Sequence, residues 1–233
     1  MLKVTDLEAG YGGSQVLHAL SLHVGDGETV VVLGPNGHGK STLLRAISGL
    51  IRPSAGRVEF DGVDLTRLPT EQIVGSGVVH IPQGDLPFPE MTVLENLLVG
   101  AYRPGAWSER AERIEKVFHL FPALAERKRQ LARSLSGGER RMLALGRGLM
   151  SKARLLMIDE PSLGLAPLVT EQVYETIDEI KRSGLAILLV DENAEHVAGL
   201  ADRMYLLEAG VLVREGAAAD LLRDEALLAA YLG

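Results

Sequence analysis

The chain has 233 residues, 46% of them hydrophobic, enough for one large domain with a sizeable core. Only 4% are aromatic, so that core has to be built from Leu, Val, Ile and Ala. With 24 basic against 31 acidic residues the net charge is −7, which argues against nucleic acid as the main partner, and the lack of cysteine excludes disulfides, thiolate zinc sites and thiol redox chemistry.

His18, His23, His38, His80, His119 and His196 have neither H-x-x-H nor H-E-x-x-H spacing, so no metal site made by the protein alone is expected. No run of 18 apolar residues is present, and residues 1–11 lack the apolar stretch of a signal peptide. A soluble, cytosolic chain is expected, one that meets any membrane through another protein.

In chain order, residues 2–7 and 16–24 alternate loosely and read as short strands, punctuated by Gly10, Gly12, Gly13, Gly25 and Gly27. Residues 29–33 (TVVVL) are a β-branched apolar run, a buried strand. Gly34-Pro35-Asn36-Gly37-His38-Gly39-Lys40-Ser41-Thr42 follows and fits the phosphate-loop pattern G-x-x-x-x-G-K-[ST]. Residues 41–48 then read as a helix closed by Gly49. Strand, glycine-rich turn and helix in that order let backbone N–H groups and the positive helix end face phosphate oxygens. Lys40 is expected to reach the outer phosphates and the Ser41 hydroxyl to ligate Mg²⁺.

A brief strand is predicted at 57–60, a turn at Asp61-Gly62, and a strand at 78–81 stopped by Pro82. From 92 to 150 the pattern turns helical, with segments at 92–101, 108–120 and 136–150. The last opens on Ser136 with Glu139 three residues later, a capping box. Residues 84–150 are therefore read as a helical insertion into an α/β core. Beyond it come a strand at 155–158, a helix at 168–182 stopped by Gly184, a strand at 185–190, a helix near 193–200, a strand at 203–207 and two short helical pieces ending at Tyr231-Leu232-Gly233. Apolar runs separated by helices predict a mainly parallel sheet with helices on both faces.

The strand at 155–158 runs into Asp159-Glu160 at its C-terminal end, where ligand chemistry sits in open α/β sheets. Asp159 is placed to hold Mg²⁺ through water and Glu160 to accept a proton from an attacking water. Alone, two acids after a strand are commonplace; beside a phosphate loop they carry weight.

Leu135-Ser136-Gly137-Gly138-Glu139 resembles the signature motif of ATP-binding cassette (ABC) proteins. On its own a serine before two glycines is a plain helix cap. Here it forms a second anion site, with a hydroxyl and glycine N–H groups at a helix N-terminus. One chain needs one cradle, so a second suggests two chains meeting head-to-tail. The resemblance covers essentially the whole chain. It implies that Tyr11 stacks on adenine, that Gln83 senses Mg²⁺ and the attacking water, that 162–166 communicates between paired sites, and that Ser136, Gly137 and Gly138 bind the terminal phosphate of the partner chain's ATP. The implied fold is α/β: a phosphate-loop ABC ATPase core, its sheet mainly parallel with an N-terminal antiparallel β region, plus an inserted helical subdomain, forming a single ABC ATP-binding domain over 1–233.

Within the family, Pro161-Ser162-Leu163-Gly164-Leu165-Ala166-Pro167, the stretch from Pro82-Gln83-Gly84 to Glu95-Asn96-Leu97-Leu98, and the short ending are similar to ATPases of importers for branched-chain and other hydrophobic amino acids, amides or urea, specifically the smaller of two such subunits. The implied function is ATP hydrolysis energising a membrane importer, with ATP and Mg²⁺ as ligands. The implied partners are integral-membrane permease subunits, a second ABC ATPase subunit in a homo- or heterodimer and, indirectly, a periplasmic or extracellular solute-binding protein. The location is cytoplasmic, peripheral on the inner face of the membrane. Residues 84–98 are the expected permease groove. Alternatives are an ATPase of a lipid or lipopolysaccharide exporter, a soluble ABC ATPase outside transport, and a phosphate-loop kinase or GTPase.

One departure stands out. Most family members carry a histidine after the strand at 185–190, donating to the γ-phosphate; this subfamily often has glutamine. Here the position is Glu192, whose carboxylate accepts hydrogen bonds but donates none. Glu192 is expected either to turn away from the phosphate or to slow hydrolysis, and His196, a turn later, to be a solvated helix residue.

Overall fold

The computed structural model describes residues 1–84 and 87–223. It opens with β1 (Leu2–Tyr11) and β2 (Ser14–Val24), then β3 (Thr29–Leu33), α1 (Lys40–Ile47), β4 (Ala55–Phe60), β5 (Val63–Asp64), α2 (Thr70–Ser76) and β6 (Val78–Ile81). The helical stretch is α3 (Val93–Gly100), α4 (Pro104–Trp107), α5 (Arg110–Leu120), α6 (Pro122–Glu126) and α7 (Gly137–Leu149). The chain continues as β7 (Leu155–Asp159), α8 (Pro167–Arg182), β8 (Ala186–Asp191), α9 (Ala194–Val197), β9 (Arg203–Glu208), β10 (Val211–Ala217) and α10 (Ala218–Leu221).

Two sheets result. The smaller is antiparallel in the order β2-β1-β4-β5, and the larger runs β10-β9-β3-β8-β7-β6, parallel except for β10 at its edge. The expected fold, a mainly parallel sheet with an N-terminal antiparallel region and helices beside it, is the one observed. Strand alternation divides the apolar residues between two cores. Val31, Leu33, Ile81, Leu156, Ile158, Ile187 and Leu189 face the helical stretch and α8. Val30, Val32, Val78, Leu155, Met157, Leu188 and Val190 face α1 and the antiparallel sheet. Being covered on both faces is why these strands read as unbroken apolar runs.

The structure refines several expectations. The helix expected at 108–120 begins at Arg110, and a separate turn of helix, α4, precedes it with Pro104 at its first position, where a missing N–H costs nothing. The segment at 193–200 holds only one turn, Ala194–Val197, and α2, α6 and β10 were not anticipated. β10 (VLVREGA) pairs antiparallel with β9, a tertiary choice that its residues, lacking a clear alternation, do not announce. Both Thr92 and Ser136 form complete capping boxes, with Glu95 and Glu139. The expected ending at 231–233 lies outside the described residues. No helix among the described residues is long and apolar enough to cross a membrane.

On β6, His80 Nδ1 lies 3.2 Å from Ser48 Oγ of the chain after α1, while its Nε2 is buried without a partner. Burial, helped by the Arg45 charge, pushes its pKa down to about 4. The folded chain holds it neutral, whereas the unfolded chain protonates it below the ordinary value of about 6.5, so acid favours unfolding. Lowering the pH from 7 to 5 is expected to cost about 2 kcal/mol through this residue. His80→Gln should remove that share, read as converging urea midpoints at the two pH values.

Candidate functional site

The candidate nucleotide site lies at the C-terminal ends of β3, β7 and β8, adjacent strands of the parallel sheet. Leu33 pairs with Asp191, and Asp159 with Val190. Gly34 N–H donates to the Asp191 carbonyl at 3.2 Å and Glu160 N–H to the Val190 carbonyl at 3.0 Å, so the phosphate loop and the acidic pair hang from one strand end. Gly34 is required by space: a Cβ there would lie 2.3 Å from the Leu207 carbonyl oxygen. Gly39 has φ 105° at the start of α1, a left-handed conformation that glycine takes without steric cost.

Lys40 begins α1 and turns back beneath the loop. Its Nζ donates to the Gly34 carbonyl at 2.7 Å and the Pro35 carbonyl at 3.1 Å, and pairs with Glu160 Oε1 at 2.9 Å. Glu160 Oε2 accepts from Gln83 Nε2 at 2.8 Å. The carboxylate is thus clamped between an ammonium and an amide, and both side chains of the ion pair are buried. Glu160 itself has φ 43°, uncommon for a residue with a side chain, and this turn aims its carboxylate at Lys40.

Ser41 Oγ donates to Asp159 Oδ1 at 3.0 Å. Asp159 Oδ2 is buried with no hydrogen-bond partner. Burial raises the Asp159 pKa, opposed by the Ser41 hydrogen bond and reinforced by the neighbouring Glu160 charge. An orphaned carboxylate oxygen beside a serine hydroxyl is a hard-oxygen donor set that suits Mg²⁺. Among the described residues no cluster of three or more His, Cys, Asp or Glu could hold a metal, so this pair needs phosphate oxygens or water to complete a shell. Asn36, Gly37, Gly39, Lys40, Ser41, Thr42, Gln83 and Glu160 line a cavity of about 170 Å³.

The structure therefore brings together the loop residues Gly34 to Thr42 with Gln83, Asp159 and Glu160. Glu192 belongs to the same group. Its Oε2 accepts a hydrogen bond from the Asn36 side chain of the phosphate loop. His38 has a role that its place in the motif did not disclose. Its Nδ1 accepts from Ala209 N–H and its carbonyl from Gly210 N–H, both at 3.1 Å, pinning the loop to the β9–β10 turn.

Tyr11, at the end of β1, is exposed, and its hydroxyl accepts from Arg45 Nη1 of α1 at 3.1 Å, outside the cavity lining. Ser136, Gly137 and Gly138 stand apart as well. Ser136 is exposed and caps α7, while Gly138 packs so closely on α8 that a Cβ would meet Val169 Cγ1 at 2.4 Å. His196 lies 5.1 Å, ring to ring, from Tyr174. Two residues that sequence reasoning missed are Tyr174 and Asp191. The Tyr174 hydroxyl donates to Asp191 Oδ2, and Asp191 Oδ1 accepts from Glu192 N–H at 2.8 Å and Asn193 N–H at 3.0 Å. Burial raises both pKa values. Nothing in the sequence joins a tyrosine on α8 to an acid at the end of β8.

Known proteins resemble this chain over its full length. Residues 17–163 match the family model described as ABC transporter. The chain is 41% identical over 233 residues, covering both chains fully, to the high-affinity branched-chain amino acid transport ATP-binding protein BraG of Pseudomonas aeruginosa. It is 37% identical to the probable branched-chain amino acid transport ATP-binding protein LivF of Archaeoglobus fulgidus, covering 97% of this chain and 95% of that one. To the lipopolysaccharide export system ATP-binding protein LptB of Escherichia coli K12 the identity is 31%, over 100% and 97% of the two chains. Among solved structures, the ADP conformation of an ATP-binding cassette of an ABC transporter superposes with a TM-score of 0.85 at 29% identity, covering 100% of this chain and 98% of that one.

A buried carboxylate whose pKa is raised destabilises the fold once pH exceeds its unfolded value. Asp159→Asn is therefore expected to raise the thermal midpoint of the nucleotide-free chain at pH 7, with the gain vanishing in acid, while Mg²⁺-dependent ATP hydrolysis is lost. Calorimetry at pH 7 and pH 4, set beside a phosphate-release assay, checks both.

Proposed function

The chain belongs to the ABC transporter family, and from that premise we propose that it is the ATP-hydrolysing subunit of a membrane importer for branched-chain amino acids or related small amides. The observation that carries the ATPase reading is the clamp on Glu160 between Lys40 and Gln83, beside Ser41 and Asp159. Full-length identity of 41% to a branched-chain amino acid transport subunit, against 31% to a lipopolysaccharide export subunit, favours import over export.

The roles follow from charge and reach. Glu160 occupies the Lys40 ammonium. Outer phosphate oxygens compete for that ammonium, and as Lys40 transfers to them Glu160 is freed to take a proton from water that Gln83 orients. Ser41 and Asp159 would hold Mg²⁺, which supplies charge neutralisation at the phosphates. Gly37, Gly39 and the first turn of α1 present N–H groups to the phosphates. Tyr11 offers a ring face to adenine.

Ser136, Gly137 and Gly138 lie outside the cavity of their own chain, which is why we assign them to the terminal phosphate of a second ATPase subunit, identical or sister. The whole chain then acts as one ATP-binding domain with its helical insertion at about 84–150. Within that insertion the buried Asn96 side chain bonds Phe88 N–H at 2.7 Å and the carbonyls of Phe88, Met91 and Thr92 at 3.0, 3.3 and 2.9 Å. This shapes a loop whose Phe88 and Met91 are exposed. We assign that loop to the permease, which places the subunit on the inner membrane face and leaves solute choice to the permease and a solute-binding protein.

Glu160→Gln keeps the Gln83 contact but removes the base. With ATP and Mg²⁺ it is expected to lose hydrolysis by at least about 10²-fold and to double its mass in light scattering. A host lacking the chain's gene should lose uptake of labelled leucine and regain it with the unaltered chain but not with Glu160→Gln. Normal leucine uptake without the gene rules out the importer reading, and undiminished hydrolysis by Glu160→Gln rules out the assignment of the base.

A further inference from the structure

A chain of hydrogen bonds runs from the loop after Glu160 to the phosphate loop. The Tyr174 hydroxyl gives its single proton to Asp191 Oδ2, so the Ser162 hydroxyl, 3.2 Å away, must donate to the Tyr174 oxygen. Asp191 Oδ1 in turn fastens the N–H groups of Glu192 and Asn193. That fixes the turn leaving β8, and Glu192 Oε2 receives the Asn36 amide. Asn36 lines the phosphate-loop cavity, so a carboxylate stands one hydrogen bond from the cavity wall.

The electrostatics there are lopsided. Asp159, Glu160, Asp191 and Glu192 converge on one end of the sheet, and the ammonium of Lys40 is already paired with Glu160. A triphosphate brings more negative charge than a diphosphate, and even with Lys40 turned to the outer phosphates a carboxylate one hydrogen bond from the cavity wall opposes the added charge. Removing the Tyr174 hydroxyl frees the Asp191 side chain and loosens the turn that aims Glu192.

Resting on the nucleotide-binding reading above, we propose that Glu192 makes the site discriminate against triphosphate relative to diphosphate, and that Tyr174 is a positioning residue that holds Glu192 in that role.

The test measures ADP and AMP-PNP binding by calorimetry with Mg²⁺, in the unaltered chain, Glu192→Gln, Tyr174→Phe and the double variant. Glu192→Gln is expected to shift the affinity ratio towards AMP-PNP by about tenfold, the size of one screened like-charge contact. Tyr174→Phe keeps the ring and should shift the ratio the same way by roughly threefold, and the double variant should match Glu192→Gln alone because Tyr174 acts only through Glu192. A merely structural tyrosine would lower the thermal midpoint and leave the ratio alone. Should Tyr174→Phe unfold, Ser162→Ala leaves the ring untouched and is expected to move the ratio in the same sense. An unchanged ratio in Glu192→Gln, with both nucleotides bound, overturns the inference, as does a Tyr174 effect that adds in full to that of Glu192→Gln. If the unaltered chain binds neither nucleotide, the functional reading falls and takes the inference with it.

Discussion

A lysine ammonium buried beneath a glycine-rich turn has to be answered by oxygens, and Lys40 is answered by two carbonyls of its own loop and by Glu160. An ion pair this buried gives little net stability, because desolvation offsets the attraction, yet deleting one partner strands the other charge at a cost of about 3–5 kcal/mol. The pair therefore acts as a latch. It ties the loop to the strand end and keeps the Glu160 carboxylate occupied, and other anionic oxygens at Lys40 would compete for the same ammonium. Much of the architecture serves to bring these two residues, 120 positions apart, within 2.9 Å.

The strand that does so is β8, between β3 and β7. Its last two carbonyls hold Gly34 and Glu160, and its final side chain, Asp191, holds the turn with Glu192. One strand end thus sets the phosphate loop, Glu160 and Glu192 together. The parallel register is responsible: three adjacent strands all finish at the same edge, and their unpaired backbone groups there accept the residues that follow.

The helical stretch obeys a different logic. α7 packs on α8 so closely at Gly138 that no side chain fits, which fixes the direction of the Ser136 N-terminus without bringing it to the local cavity. The Ser136 end is thereby held away from the cavity of its own chain, as its proposed role at a second chain's nucleotide requires. The exposed Leu163 and Leu168 flank the same region, in the loop after Glu160 and at the start of α8. The loop that carries Leu163 also carries Ser162, whose hydroxyl meets the Tyr174 hydroxyl at 3.2 Å.

The sequence by itself determined the elements whose chemistry is local. Thr29 to Leu33, the glycine spacing of the phosphate loop, the run into Asp159 and the Ser136–Glu139 capping box are each specified by residues a few positions apart, and each is found where the pattern placed it. Short or pattern-poor pieces such as α2, α6 and β10 were not legible, because their conformation is settled by neighbours rather than by their own periodicity. Tertiary structure alone decided which charge meets which: that Lys40 rests on Glu160, that Glu192 takes the Asn36 amide, and that Tyr174 locks Asp191. Periodicity reports the face a residue presents, whereas pairing depends on strand order and register, which a linear pattern of residue types does not contain.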